Sequence, residues 1–207
     1  MNLNELLLKQ RALYPKSDDI DFEQATQGLP EFELPFTIYR TGAAAIQFFR
    51  IIRYMVNPRR IVEIGFNLGH SASMMLHLIP DASVLSVEIN THESVKRASE
   101  IVARKYQGRF QIVFGSSSDP LVQTNVVMKI QPRLVFIDGD HSIDGIDNDI
   151  MFAIRLGAEW IAFDDLLPEF GPGTIPGIAK HNLKVVAATG NMVLCRRPEG
   201  YTEQPCH

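Results

Sequence analysis

The chain has 207 residues, of which 45% are hydrophobic and 21% charged, enough to bury one sizeable core rather than several. Its formal charge of -4 speaks against affinity built on neutralising many nucleic-acid phosphates. No apolar run approaches the twenty or so residues that cross a bilayer, and the N-terminus lacks the order of a signal peptide, so a soluble protein without nucleic-acid or membrane partners is expected. The two cysteines, Cys195 and Cys206, suit a reducing cytoplasm.

In chain order, residues 3–13 read as a short amphipathic helix, followed by an acidic, proline-containing stretch without a sustained period. Residues 1–36 are therefore expected to form a helix and an irregular arm or lid. From Thr41 apolar residues recur at helical spacing until Asn57-Pro58 stops them. Strands are expected at 61–64, 84–88, 110–114, 134–137 and 160–163, with helices at 70–79, 92–106, 117–129 and 143–156 between them. That alternation is the mark of a doubly wound α/β fold with a mostly parallel sheet. After the fifth strand it ends. "LLPEFGPGTIPGIAKH", with three glycines and three prolines, reads as a flexible insertion, and two short strands about Thr189-Gly190-Asn191 read as a terminal antiparallel hairpin. The domain proper is expected over 37–198, with a tail at 199–207.

The stretch "IVEIGFNLGH" places Gly65 and Gly69 where a strand turns into a helix, so the backbone can turn sharply and approach a ligand. The dinucleotide spacing G-x-G-x-x-G is not met, because Asn67 stands where the second glycine would. A ligand without a pyrophosphate fits better. Glu88 closes the second strand, 19 residues beyond Gly69, in a position to accept hydrogen bonds from the hydroxyls of an adenosine ribose. Gly115, Ser116 and Ser117 follow the third strand, where amides and hydroxyls can border an adenine edge. Each feature also has a plainer reading as turn glycine, solvated strand end or helix cap.

With E-x-G-x-x-x-G, "SVEIN", "FGSS" and "FIDGDH" in this order, the sequence resembles the class I S-adenosylmethionine-dependent methyltransferases over roughly residues 37–196. Within them it is most similar to the metal-dependent catechol-type O-methyltransferases and to the methyltransferase-24 relatives that include sugar-modifying enzymes. The resemblance implies a seven-stranded sheet of order 3-2-1-4-5-7-6. It also implies that Glu63, Asn67 and Ser71 surround the methionine part of the cofactor, that Glu88 holds the ribose, and that Thr41 and Gly42 cover the cofactor from the N-terminal side.

In that order the fourth strand, ending in Asp138-Gly139-Asp140-His141, neighbours the fifth, ending in Asp164-Asp165. Parallel strands lie about 4.8 Å apart, so these carboxylates converge. Like charges so placed either hold protons or bind a cation, and oxygen ligands suit Mg²⁺ or another hard divalent ion. The resemblance assigns the metal to Asp138, Asp164 and Asp165, and Asp165 departs from the family's usual Asn. Asp138 also borders the cofactor. His141 stands where catechol-type enzymes carry a lysine base, which makes it and Asp138 the expected catalytic pair. His141 as a solvent-exposed residue and Asp164-Asp165 as a mere loop start are the alternatives. Phe36, Tyr39, Phe170 and Pro172 are candidate walls of the acceptor site.

The expected activity is methyl transfer to a hydroxyl of a small molecule or sugar, and the pairing often found among the enzymes it resembles implies a homodimer. A nicotinamide-dependent oxidoreductase and a non-catalytic cofactor-binding partner subunit are the alternatives, since a fold alone does not establish an activity.

Overall fold

The computed structural model describes residues 21, 23–29 and 35–200, and for residues 35–43 the backbone alone. The expected helix at 3–13, the C-terminal tail beyond 200 and Cys206 lie outside the described residues. The elements are α1 (Pro35–Met55), β1 (Arg60–Ile64), α2 (His70–Leu78), β2 (Ser83–Glu88), α3 (Glu93–Lys105), β3 (Phe110–Phe114) and α4 (Pro120–Lys129). They continue with β4 (Leu134–Ile137), α5 (Ile143–Arg155), β5 (Trp160–Phe163), α6 (Thr174–Lys180), β6 (Lys184–Thr189) and β7 (Met192–Arg196).

Seven strands form one sheet of order β3-β2-β1-β4-β5-β7-β6. The first five pair in parallel, and β7 runs antiparallel to both β5 and β6. The doubly wound fold and its terminal hairpin are thus as the sequence implied. The central strands read as unbroken apolar runs because both of their faces are covered, and alternate side chains feed two cores. Leu134 and Phe136 join the core beneath α1 and α2, where Phe49 meets Phe136 with ring centroids 5.5 Å apart. Val135 and Ile137 point the other way, toward Ile146 and Ile150 of α5. Cys195 is buried in this second core, which pushes its thiol up to about 12 and makes it a packing residue.

Three expectations need adjustment. Helix α1 begins at Pro35 instead of Thr41, so Thr41 and Gly42 lie within the helix rather than at its start. Proline at its first position fits, because the missing N–H has no partner in a first turn. Helix α4 starts at Pro120, capped by Asp119, whose side chain accepts from the Leu121 amide; Ser117 therefore stays in the loop. The insertion after β5 contains α6, whose Gly177 packs where a Cβ would stand 2.7 Å from Ile146 Cγ2. Close approach to α5 explains a glycine inside that helix.

The carboxyl ends of β1, β2, β3, β4 and β5 all open on one edge of the sheet. Strand order reverses between β1 and β4, and such a switch point leaves a crevice there.

Candidate functional site

The crevice begins with the turn after β1. Gly65 has φ +91 and its amide donates to Val87 O at 2.9 Å. A Cβ on Gly65 would lie 2.0 Å from the carbonyl oxygen of Asp138, so only glycine lets the β1 and β4 ends come this close. Asn67 also takes a left-handed conformation, with φ 46, which Asn tolerates better than most residues. Gly69, at φ +79, serves packing: a Cβ there would lie 2.5 Å from Cζ of Phe66.

Glu88 is nearly buried and organises this turn. Its Oε2 accepts from the amides of Phe66 (2.8 Å) and Asn67 (2.6 Å), and its Oε1 accepts from the Asn90 amide (2.6 Å). A carboxylate offers about four acceptor sites, so some capacity on Oε1 is left for a ligand. Glu63, one strand over, is fully buried and accepts from the hydroxyls of Ser71 and Ser86. Burial, resisted by those hydrogen bonds, pushes its carboxyl up to about 7.

A cavity of about 470 Å³ occupies the crevice, within the size range of small-molecule and cofactor sites. Gly65, Asn67, Glu88, Gly115, Ser116, Ser117 and Asp138 all line it. Ile64, Val87 and Ile89 form its apolar part, and Ile89 is 71% exposed, a position that suits the face of a flat ring better than bulk water. Glu63, Gly69 and Ser71 stand behind this lining rather than in it. The side chains of Thr41, Phe36 and Tyr39 lie outside the described residues, and Gly42 is known only as helix backbone. Sequence reasoning missed Asp149, a buried acid of α5 that also lines the cavity. Its signal was weak, since an acid in "IDGIDNDIMF" reads as part of a solvated face.

The acid group sits beside this cavity. His141 Nε2 lies 3.6 Å from Asp138 Oδ1 and 3.4 Å from Asp165 Oδ2, while His141 Nδ1 is buried without a hydrogen-bond partner. Burial first, then the charges of Asp164, Glu63, Asp165 and Glu88, hold the Asp138 carboxyl well above the usual carboxylate range. Burial and the neighbouring Asp165 push Asp164 up to about 6, against the Asp165 amide that Asp164 Oδ1 accepts. Asp165 has φ 52, and its Oδ1 accepts from Asn191 Nδ2 at 2.7 Å. Asn191, in the tight turn of the hairpin, also accepts from the amides of Leu166 and Leu167 and so fixes the loop that carries Asp165. It is a second residue that sequence reasoning missed, because its partners are remote in the chain.

Oxygen donors of this kind suit a hard divalent ion. As placed, however, the carboxylates surround an imidazole, and Asp165 is engaged by Asn191. Among the described residues no group of three or more His, Cys, Asp and Glu side chains is arranged to hold a metal ion.

A family signature described as a methyltransferase domain matches residues 62–166, from β1 to the loop after β5. The chain belongs to this methyltransferase family. No curated protein matches it significantly in sequence. Solved structures match its fold along most of its length. The S-adenosylhomocysteine-bound methyltransferase PaMTH1 of Podospora anserina is 16% identical with a TM-score of 0.67, covering 96% of this chain and 98% of that one. The O-methyltransferase TomG of Streptomyces achromogenes, involved in tomaymycin synthesis and solved with S-adenosylmethionine, is 16% identical with a TM-score of 0.59, covering 88% and 97%. An O-methyltransferase of Bacillus cereus in complex with S-adenosylhomocysteine is 15% identical with a TM-score of 0.59, covering 90% and 99%. This chain therefore shares the fold of those methyltransferases, and its matched segment contains every residue that lines the cavity. Among the described residues no helix is long and apolar enough to cross a membrane.

Proposed function

We propose that this methyltransferase transfers the sulfonium methyl of S-adenosylmethionine to a hydroxyl oxygen of a small molecule or sugar, with the cofactor in the cavity at the switch point. The observation that carries the reading is the cavity itself, which joins a glycine turn, an acid at the end of β2, a hydroxyl loop after β3 and Asp138 at the end of β4. In this reading Glu88 receives a ribose hydroxyl, Gly115, Ser116 and Ser117 border the adenine, and Gly65, Asn67 and Asp138 border the methionine part. Glu63, Gly69 and Ser71 support the turn from behind, and Thr41 and Gly42 of α1 close the cofactor from the N-terminal side. Residues 37–198 are the catalytic domain, 1–36 a covering arm and 199–207 a tail.

The chemistry asks little of the electrophile. As the acceptor oxygen bonds to the methyl carbon, the carbon–sulfur bond breaks, its electron pair returns to sulfur, and the hydroxyl proton must leave. His141 takes that proton as a neutral imidazole, and the carboxylates of Asp138 and Asp165 beside it orient the ring and stabilise the imidazolium. A divalent cation such as Mg²⁺ on Asp138, Asp164 and Asp165 is a finer part of the proposal, supported by the crowding of those acids although their present placement does not close a ligand set. Bound there, it would act as a Lewis acid that lowers the hydroxyl pKa.

Calorimetry with S-adenosylmethionine, S-adenosylhomocysteine and NAD tests the cofactor, and uptake of NAD alone would refute it. Methyl transfer to a panel of hydroxyl acceptors tests the reaction, with His141→Ala expected to slow turnover by about a hundredfold or more. Turnover that ignores both added Mg²⁺ and a chelator, together with full activity of Asp164→Asn/Asp165→Asn, would remove the cation. A cytoplasmic homodimer is the setting we infer, and light scattering at working concentration checks the pairing.

A further inference from the structure

One polar atom in the cavity has no role in the reading above. Asp149 is 2% exposed, and its Oδ1 accepts from the Ser117 hydroxyl at 2.6 Å. Its Oδ2 is buried and receives no hydrogen bond. A buried carboxylate oxygen without a donor is costly, and native structures rarely leave one so. Gly145, Asn148 and Asp149 fall on one face of α5 by their spacing, and that face lines the cavity. Across from it Gly139 packs close, a Cβ there standing 3.4 Å from Asp149 Oδ2, so this oxygen lies between α5 and the turn after β4, both of which line the cavity.

A slight turn of the carboxylate brings Oδ2 to the cavity wall, where an N–H or O–H on the edge of a ligand would satisfy it. Burial pushes the Asp149 carboxyl up to about 6, so at pH 8 it is ionised and accepts only. Ile64, Val87 and Ile89 offer an apolar wall to a flat ring in the same cavity, and Glu88 stands beside them at the end of β2.

We propose that Asp149 selects adenine: its Oδ2 accepts a hydrogen bond from the exocyclic amino group of the cofactor's purine, while Ser117 fixes the carboxylate. This rests on the cofactor reading above. A purine with a 6-keto group turns a carbonyl toward the carboxylate, so two acceptors face each other and neither is paired.

The test is calorimetric binding of S-adenosylhomocysteine and S-inosylhomocysteine at pH 8 to the full chain and to its Asp149→Ala and Asp149→Asn variants, with folding checked by circular dichroism. The full chain is expected to bind the adenosine compound at least tenfold more tightly. In Asp149→Ala that ratio collapses toward one because affinity for the adenosine compound falls while affinity for the inosine compound does not. A merely structural role would weaken both ligands alike. A full chain that binds the two compounds equally overturns the inference and leaves the cofactor reading standing. So does a folded variant, either alanine or the isosteric asparagine, in which both affinities fall together or the ratio is unchanged. A full chain that binds neither compound removes the cofactor reading and the inference with it.

Discussion

Gly65 shows how one absent side chain decides the shape of a site. Substitution by alanine has to overcome both a left-handed backbone and a Cβ placed 2.0 Å from the Asp138 carbonyl oxygen. Gly108 has a similar φ of +76 but nothing within 4 Å of its virtual Cβ, so it isolates the conformational part. Gly108→Ala is expected to cost about 1 kcal/mol and Gly65→Ala at least about 3 kcal/mol in urea unfolding, with loss of S-adenosylhomocysteine binding only in the second. Equal costs would mean that the β1 and β4 ends are not held as described. Glu63 makes a prediction about pH. Its carboxyl is raised from 4.5 to about 7, chiefly by burial, so the folded state binds the proton more tightly than the unfolded chain does. Stability from this group is complete below about pH 4.5 and is lost as the pH rises through 7. Asp149 and Asp164, each raised to about 6, act in the same direction over a slightly lower interval. The melting midpoint should therefore fall between about pH 5 and about pH 8, and Glu63→Gln should flatten that fall. A midpoint that rises over this interval would contradict the burial of these acids.

Helix α5 is the element on which the candidate site depends most. It starts where "DGDHS" ends, with Ser142 Oγ accepting from the Gly145 amide at 3.0 Å and Asp140 Oδ1 accepting from the Ser142 amide. These two contacts fix where His141 leaves the strand and where Asp149 enters the cavity. Ser142→Ala removes the cap and is expected to cost about 1 kcal/mol, read as a shift in the urea midpoint without a change in slope. The hairpin acts on the same site from the other side of β5. Asn191 engages Asp165, and Gly190 lets the turn pack on α1, where a Cβ would lie 2.9 Å from that of Ala44. The edge strand β6 is the weakest of the seven: Val185 is 53% exposed, and a register shift between Val185 and Ala187 interrupts its pairing with β7.

For the whole molecule, stability is graded from the middle of the sheet outward. Strands β1, β4 and β5 are buried on both faces, whereas β6 is paired along one side only. Hydrogen exchange should be slowest in 61–64, 134–137 and 160–163 and fastest among the strands in 184–189. S-adenosylhomocysteine at about a hundredfold its Kd should add about 2.7 kcal/mol to global stability and slow exchange most in the turns 65–69 and 115–118. Protection confined to other segments would place the ligand elsewhere.

The order of elements was legible in the sequence because local rules suffice for it: apolar runs covered on both faces, helical spacing between them, and a glycine turn at the hairpin. The same locality found the "EIGFNLG" turn, Glu88 and the "DGDH" acid, since a strand's carboxyl end is where a parallel sheet meets its ligand. What tertiary structure alone decided are the partners. Glu88 is engaged by three backbone amides, Asp165 by an asparagine 26 residues on, His141 by two carboxylates from different strands, and Asp149 by a serine in another loop. A hydrogen bond depends on a few tenths of an ångström and on direction, and those are set by how helices pack on the sheet rather than by any spacing along the chain.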